Sequence, residues 1–379
     1  MRRLAMVTIG VFLLAGGRGS AGWVRHAIDA GGSGKVGADG VRLGDVDGDG
    51  LLDVVSGWEQ SGEVRIYRNP GSEAVEAAWP VVTVGKVPGV EDACFVDFDG
   101  DGVVDVLSCT EGKSRRVFLH RAPGESGRYF EAAAWQTAEV ARGEMWMFAE
   151  VEAGIVYLGS KGAGAGVSRG VMAGGRLGLE RLADAGWVMS LELVDLDGVG
   201  GSELLVTDRK GERRGVWEWS GARGMQRIGG AGREVMFADV GMLDGDGDPD
   251  VVVATRDGFW LVCERSGGDW RETVYPNPMG IRAGKAVAIG DIDLDGENDI
   301  VMSFNTQQQD KRPGVVWAKR RGEGWEATDV SGLEGKKFDL VELLDLDGDG
   351  DLDILTCEEA DNLGVVWYEN PLDPVGSGG

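Results

Sequence analysis

One nine-residue stretch, DVDGDGLLD at residues 45–53, recurs along the chain and constrains the fold more than any other feature. Three close copies follow, together with a shifted copy and a decayed one: DFDGDGVVD (97–105), DIDLDGEND (291–299), DLDGDGDLD (345–353), MLDGDGDPD (242–250) and DLDGVGGSE (195–203). Between the second copy and the decayed one, residues 144–160 keep the apolar flanks without the aspartates. The chain therefore contains seven units spaced by roughly 50 residues.

Each unit also contains four short apolar segments. In the first unit, GVRLG precedes the aspartates, DVVSGW follows them, and GEVRIYRN and the tryptophan-led WPVVTV come next. Four short strands per unit with a repeated Gly/Asp/Trp signature are typical of a β-propeller. We therefore predict an all-β fold, a seven-bladed β-propeller of four-stranded blades over residues 23–371. A pair of β-sandwiches or an open β-solenoid is the alternative.

The order of the strands predicts how the ring closes. If the strand before each aspartate stretch is innermost, the tryptophan-led strand is outermost and is supplied by the start of the next repeat. Segment 23–29 then has no preceding blade in the sequence. We expect it to pair with segment 364–370, which would complete the seventh blade and remove the open sheet edges.

The two ends of the chain carry separate predictions. Residues 1–22 are predicted to be a secretory signal peptide, because a basic start precedes an apolar run and Gly19 and Ala21 suit the cleavage positions. An uncleaved membrane anchor is the alternative, although the run is short for a bilayer span. We predict a secreted or extracytoplasmic protein, periplasmic or on the cell surface, with a disordered tail at 372–379.

The crowded aspartates predict bound calcium, because carboxylates at this density repel each other strongly without a cation. Calcium takes roughly six to eight oxygen ligands, which carboxylates at positions 1, 3, 5 and 9 and a carbonyl at position 7 can supply. An EF-hand is excluded, since its glutamate at position 12 is replaced here by Ser56, Ser108, Met302 or Thr356. An acidic turn without metal is the remaining alternative.

The candidate ligands occupy those positions in five loops. They are Asp45, Asp47, Asp49, Leu51 and Asp53; Asp97, Asp99, Asp101, Val103 and Asp105; Asp244, Asp246, Asp248 and Asp250; Asp291, Asp293, Asp295, Glu297 and Asp299; and Asp345, Asp347, Asp349, Asp351 and Asp353. We expect four Ca²⁺ sites. The sequence does not decide whether the loop at 242–250 forms a fifth site, because Met242 stands at position 1. Asp239 or Asp248 is the candidate to replace the missing acid there.

Charge and cysteine content narrow the possible partners. The formal net charge of −26 argues against nucleic acid and against an anionic membrane surface. No second apolar stretch could span a membrane, and we expect a monomer. The scattered cysteines Cys94, Cys109, Cys263 and Cys357 are predicted to be buried free thiols. If a disulfide forms, Cys94 and Cys109 are the expected pair, because they flank one short loop.

The repeated D-x-D-x-D-G-x-x-D loop resembles the FG-GAP/VCBS repeat family, whose best-known member type is the seven-bladed propeller of integrin α subunits. The resemblance covers residues 23–371 and implies calcium in the loop that joins the first two strands of a blade. Two units depart from it. Blade three lacks the loop, and blade four has Val199 at position 5 and Glu203 at position 9, so neither is among the expected sites.

A ligand is expected at the face opposite the calcium loops, over the central channel. The candidate residues there are Asp39, Trp58, Asp92, Trp187, Arg282, Lys285 and Asp339. We predict a binding or adhesion module for carbohydrate or protein. Trp58, Trp146 and Trp187 could stack on sugars, although packing between blades is the alternative role for tryptophans in such a fold.

An enzyme is the competing interpretation, because some similar calcium propellers are polysaccharide lyases or sugar dehydratases. Such a reaction needs a general base near the sugar. His26 and His120 map to outer parts of the blades, so Lys285 or Arg282 opposite Asp39 would have to act. No nucleophile elbow, phosphate loop or zinc cluster is present in the sequence.

Overall fold

The computed structural model describes residues 22–31, 37–98, 100–309, 311–322 and 324–372, together with two short backbone segments, Thr8–Ile9 and Phe12–Leu13. The described residues form seven sheets, each built around four antiparallel strands. Their innermost strands contact one another in order around a closed ring. The predicted seven-bladed β-propeller is confirmed.

In blades one to six the strands run from the channel outward in chain order, and in blade seven the first three strands do so. Blades one to four comprise Ala38–Gly44, Asp53–Trp58, Glu63–Tyr67 and Val81–Lys86; Val90–Val96, Asp105–Thr110, Arg116–Arg121 and Gln136–Arg142; Met145–Glu152, Ile155–Lys161, Gly166–Ala173 and Arg176–Asp184; and Val188–Val194, Glu203–Asp208, Gly215–Ser220 and Gly224–Gly229. Blade three therefore has its four strands, although it lacks the acidic loop.

The remaining blades follow the same order. They comprise Val235–Gly241, Asp250–Thr255, Phe259–Ser266 and Asp269–Pro276; Gly284–Gly290, Asp299–Phe304, Val315–Arg321 and Gly324–Asp329; and Phe338–Leu344, Asp353–Glu358, Gly364–Glu369 and Val24–Asp29. Short 3₁₀ turns lie at Ser126–Arg128, Ala132–Ala134 and Pro278–Gly280.

The seventh blade is completed by both ends of the propeller, as predicted. The N-terminal strand Val24–Asp29 pairs antiparallel with Gly364–Glu369, with Val24 opposite Glu369 and Ala27 opposite Val366. This pairing makes Val24–Asp29, which precedes blade one in the sequence, the outermost strand of the last blade. The ring is thus joined through main-chain hydrogen bonds within one sheet.

The second strand of each blade forms the core. In six blades all six residues of this strand are buried, as in Asp53–Trp58 and Asp353–Glu358. These strands are continuous apolar runs because both of their faces pack against other blades. Cys109 and Cys357 lie on second strands, Cys94 on a first strand and Cys263 on a third strand, and all four are buried free thiols, which confirms that prediction.

The chain termini are only partly described. Thr8–Ile9 and Phe12–Leu13 pair in parallel with the outer strands of blades five and six. Otherwise the predicted signal peptide (1–22) and tail (372–379) lie outside the described residues, apart from Gly22 and Leu372. Within the described part of the chain, no helix has the length and apolar character needed to cross a membrane.

Candidate metal loops and channel-mouth cavity

Each acidic loop is anchored by its second and ninth positions. At position 2 an apolar side chain is buried under the blade: Val46, Phe98, Leu196, Leu243, Ile292 and Leu346. At position 9 the Asp53 carboxylate accepts the main-chain N–H of Val46 (2.9 Å) and of Asn69 (2.8 Å). One oxygen thus holds the loop and the other holds the end of the third strand. Asp353 repeats this with Leu346 and Asn370, both at 2.9 Å.

The first aspartate organises the turn itself. The Asp45 carboxylate accepts the N–H groups of Gly48 (2.7 Å), Asp49 (3.2 Å) and Gly50 (2.9 Å). Both glycines have positive φ values, 78° and 89°, which only glycine adopts without strain. The carboxylate at position 5 accepts the N–H of position 7, as in Asp49 and Leu51 at 2.9 Å. The sequence therefore folds the carboxylates inward from local hydrogen bonding alone.

Four of these loops bring three acidic side chains together. In each cluster, one carboxylate oxygen per residue lies within 4.8 Å of the others. The clusters are Asp45, Asp47 and Asp53 in blade one; Asp195, Asp197 and Glu203 in blade four; Asp291, Asp293 and Asp295 in blade six; and Asp345, Asp347 and Asp353 in blade seven. These all-oxygen donor sets suit a hard cation such as Ca²⁺.

The blade-seven loop carries a further buried carboxyl group, Asp351, besides the three acids of its cluster. Asp351, at position 7, is only 1 % exposed, and neither of its carboxylate oxygens has a hydrogen-bond partner in the described structure. Burial, followed by the charges of Asp349 and Asp353, raises the pKa of Asp351 to about 8. Burial raises the pKa of Asp353 to about 7. A bound divalent cation would stabilise the ionised form of both carboxyl groups.

Basic side chains adjoin the other three clusters. Arg68 contacts Asp47 (Nε to Oδ2, 3.0 Å), and Lys319 contacts Asp295 (Nζ to Oδ2, 2.7 Å). Arg223 in blade four lies 3.0 Å from Asp197. In blade seven Glu369 stands where Arg68 stands in blade one, and none of the ion pairs in the described residues reaches its aspartates. The four clusters therefore differ in net charge although their backbones are alike.

None of the acidic clusters found among the described residues lies in the loop of blade two or blade five. Asp99 lies outside the described residues; around it, Asp97 still accepts the N–H groups of Gly100 (2.9 Å) and Gly102 (3.1 Å). In blade five, the described acids of 242–250 do not converge as a cluster. Asp239 does not substitute at position 1, because its carboxylate accepts the N–H groups of Val240 and Ile289 on the channel side.

The blade-four cluster was missed by sequence reasoning. We expected no site where Val199 replaces an aspartate and Glu203 stands at position 9. The longer Glu203 side chain nevertheless accepts the Leu196 N–H at 3.1 Å, as aspartate does elsewhere. The sequence did contain an indication of this cluster: an acid at position 9, Glu203, together with an apolar residue at position 2, Leu196.

At the opposite face a cavity of about 260 Å³ opens over the channel. Five of the seven predicted ligand-face residues line it: Asp39, Asp92, Trp187, Lys285 and Asp339. Arg282 lines a separate cavity with Gln307 and Gln309. Trp58 is wholly buried under the Arg65 guanidinium, 4.2 Å from its ring centroid, and donates its indole N–H to the Tyr67 hydroxyl (2.7 Å). Trp146 is also buried, at 1 % exposure.

Three side chains from adjacent blades form a charged group inside the cavity. Lys285 Nζ lies 2.5 Å from Asp339 Oδ2, and both side chains are almost fully buried. Burial and then the charge of Asp339 raise the pKa of Asp39 well above its usual value. Burial opposes ionisation of Asp339 too, but Lys285 and Lys337 hold its pKa below the usual value. Of the two carboxyl groups, Asp39 therefore holds its proton more tightly than Asp339.

Trp187 is enclosed by cations rather than open for stacking. Lys161 Nζ lies 4.5 Å from its ring centroid, the Arg209 guanidinium carbon 4.4 Å and Lys210 Nζ 5.1 Å. The negative ring face stabilises these charges. Asp92 also lines the cavity, lies 3.7 Å from Arg42 and accepts the Ala149 N–H. The cavity is therefore more polar and more charged than a sugar-stacking platform.

Comparison with known proteins gives one family match. A family model described as an FG-GAP-like repeat matches residues 14–108 and 243–302. These two ranges contain the acidic loops of blades one, two, five and six. No curated protein matches the chain significantly.

Proposed function

We propose that this chain, a seven-bladed propeller of which residues 14–108 and 243–302 match an FG-GAP-like repeat model, is an extracytoplasmic calcium-binding module that holds a carbohydrate or protein ligand at the channel mouth. The calcium would be structural, because the loops lie at the face opposite the cavity. The basic start and apolar run of residues 1–22 support export. We propose that it acts as a monomer and binds no nucleic acid.

Calcium is the proposed ion because every candidate ligand is an oxygen atom and most are carboxylates. Residues of the four clusters in blades one, four, six and seven would hold the ions. A bound ion would neutralise the clustered carboxylates and fix the turn between the first two strands. Blade seven is the proposed tightest site, because Asp351 has no partner there and Glu369 replaces the basic neighbour.

The channel-mouth cavity is the observation that supports ligand binding. Charged side chains from different blades converge there at low exposure: Asp92 on blade two, Lys285 on blade six and Asp339 on blade seven. Convergent polar groups in a concave site at the end of a scaffold are typical of ligand binding. The cavity is small, so it would accept one sugar unit or one side chain of a larger ligand.

A glycan array with the mature, calcium-loaded protein tests the proposal. Glycans that bind should lose binding in Lys285→Met and keep it in Arg213→Gln, which removes a positive charge from an exposed position of blade four. If the array stays silent, the same two variants should be compared in pull-downs against extracellular proteins. Equal binding by both variants would show that the ligand does not occupy this cavity.

A second candidate function, sugar or polysaccharide chemistry, is favoured by one observation. Asp39 and Asp339 lie together in the cavity, and their pKa values are shifted in opposite directions, so that one is the better proton donor and the other the better acceptor. Lys285 is a poor base, because it faces Asp339 and its pKa is raised. A lyase would produce an unsaturated sugar that absorbs near 235 nm. If a glycan binds without such a rise in absorbance, the lyase function is refuted and the binding function is supported.

A further inference from the structure

One side chain from each blade forms a ring around the channel mouth. It belongs to the residue that ends or directly follows the second strand, and the members in order are Glu59, Glu111, Lys161, Arg209, Arg256, Asn305 and Glu359. In six blades its main-chain N–H donates to the carbonyl just before the first strand, at 2.8–3.0 Å. Equivalent backbone bonds therefore place these side chains at equivalent points, and their charges can be compared directly.

The ring is divided by charge. Blades one, two and seven carry glutamates, whereas blades three, four and five carry cations. Three cations near the mouth have an acidic partner in contact. Lys161 contacts Glu111 and lies 3.1 Å from Glu91, and Lys337 contacts Glu359. Lys285 lies 2.5 Å from Asp339.

Arg209 and Arg256, which line the same cavity, differ from these three cations. The carboxylate of Glu234 is their shared acidic neighbour, at 3.8 Å from Arg209 Nε and 4.0 Å from Arg256 Nε. Neither separation is a hydrogen bond. Arg209 is only 9 % exposed, and its Nε has no hydrogen-bond partner in the described structure. Burial, and then the charge of Arg256, lower the pKa of Arg209.

We propose that Arg209 and Arg256 form an oxyanion-binding subsite of the channel-mouth cavity, which takes a carboxylate or sulfate group of the ligand. This inference rests on the proposed binding function and narrows its ligand to an anionic one. Both arginines line the same cavity as Lys285 and Lys337. The ligand's anion would supply the missing partner for the Arg209 Nε.

Guanidinium groups suit this role, because their N–H donors match the two oxygens of a carboxylate or sulfate. The Trp187 ring, 4.4 Å from the Arg209 guanidinium carbon, fixes its plane without occupying its donors. A buried charge without a full partner is costly, so an anion that completes it gains more than it would at an exposed arginine. A neutral sugar of the same size would leave that cost in place.

Calorimetric titration of the calcium-loaded protein tests the subsite. The probes are D-glucuronate, inorganic sulfate and D-glucose, each at constant ionic strength set with sodium chloride. We expect glucuronate and sulfate to bind at least about 10-fold more tightly than glucose, which corresponds to about 1.4 kcal/mol. Arg256→Gln should lower the glucuronate affinity about 10-fold or more. Arg256 is partly exposed, so this variant should fold, and Arg209→Lys gives a second test that keeps the charge.

Arg213→Gln is the matched control, because Arg213 lies in the same loop as Arg209, is exposed and stacks on Trp217. It changes the net charge equally and should leave glucuronate binding unchanged. If Arg256→Gln and Arg213→Gln lose glucuronate affinity equally, the effect is one of net charge alone and the subsite is refuted. Binding of glucose but not of the anions would also overturn it, while leaving the proposed binding function intact. Absence of binding by all three probes would refute the subsite and leave the glycan array to decide the wider function.

Discussion

Removal of calcium should lower the melting temperature of this protein by an amount that the four clusters allow us to work out. An ion that binds the folded state alone adds RT ln(1 + [L]/Kd) to the free energy of unfolding. At a calcium concentration about 100 times Kd this is about 2.7 kcal/mol for each site. The loops lie on four different blades, so their contributions should be close to additive.

The corresponding shift follows from the size of the domain. Unfolding entropy near 60 °C is about 2.1 cal/mol/K per residue, which is about 0.7 kcal/mol/K for a propeller of about 350 residues. Each occupied site should therefore raise the melting temperature by about 4 °C, and four sites by about 15 °C. Magnesium should restore little of this, because it prefers a rigid octahedral shell with bound waters.

Differential scanning calorimetry in excess EDTA and in excess calcium measures the shift. Asp345→Asn removes one carboxylate of the blade-seven cluster and should reduce the difference by about one site's share. Asp269→Asn, in blade five and outside the clusters, serves as the control for a lost acidic charge. A melting temperature that is the same in EDTA and in calcium would refute the metal assignment for all four loops.

Three further outcomes are expected. His120 is buried between Ser108 and Thr137 hydroxyls and burial lowers its pKa to about 4; since its unfolded pKa is near 6.5, up to about 3 kcal/mol of stability should be lost as pH falls from 6.5 to 4. Denaturant melts across that range should show a smaller loss in His120→Gln. Lys319→Met should tighten calcium binding in blade six, because it removes a cation that competes for Asp295; unchanged affinity for a fluorescent calcium competitor would contradict this. Asp53→Ala should destabilise the protein even in EDTA, by about 1–3 kcal/mol for each main-chain N–H left unpaired; a loss confined to calcium-loaded samples would show that the carboxylate acts only through the metal.

The fold could be predicted from the sequence because each of its parts is repeated. The aspartate stretch fixes the turn between two strands through local hydrogen bonds, as Asp45 does with Gly48 and Gly50. The apolar run that follows, such as Asp53–Trp58, can be satisfied only in a layer covered on both faces. The surplus strand at 23–29 then has one partner left, which is why the closure at Gly364–Glu369 was foreseeable.

The candidate sites were less predictable because they depend on neighbours in space. The burial of Trp58 depends on Arg65, which lies on the neighbouring strand of its blade. The blade-four cluster survives because Glu203 reaches the Leu196 N–H, a matter of side-chain length that motif spacing does not show. At the channel mouth, the composition of the rim was visible in the sequence. Which cations lack a partner depends on contacts between blades that no local pattern contains.

The closure of blade seven has a consequence for the order in which the molecule assembles. Three of its strands come from residues 338–369, and the fourth is Val24–Asp29, the first strand of the propeller. The blade whose loop carries five aspartates therefore cannot form until nearly the whole chain has been made. Its calcium would arrive as the ring shuts, so that ion capture and the meeting of the two ends would be a single late event in folding.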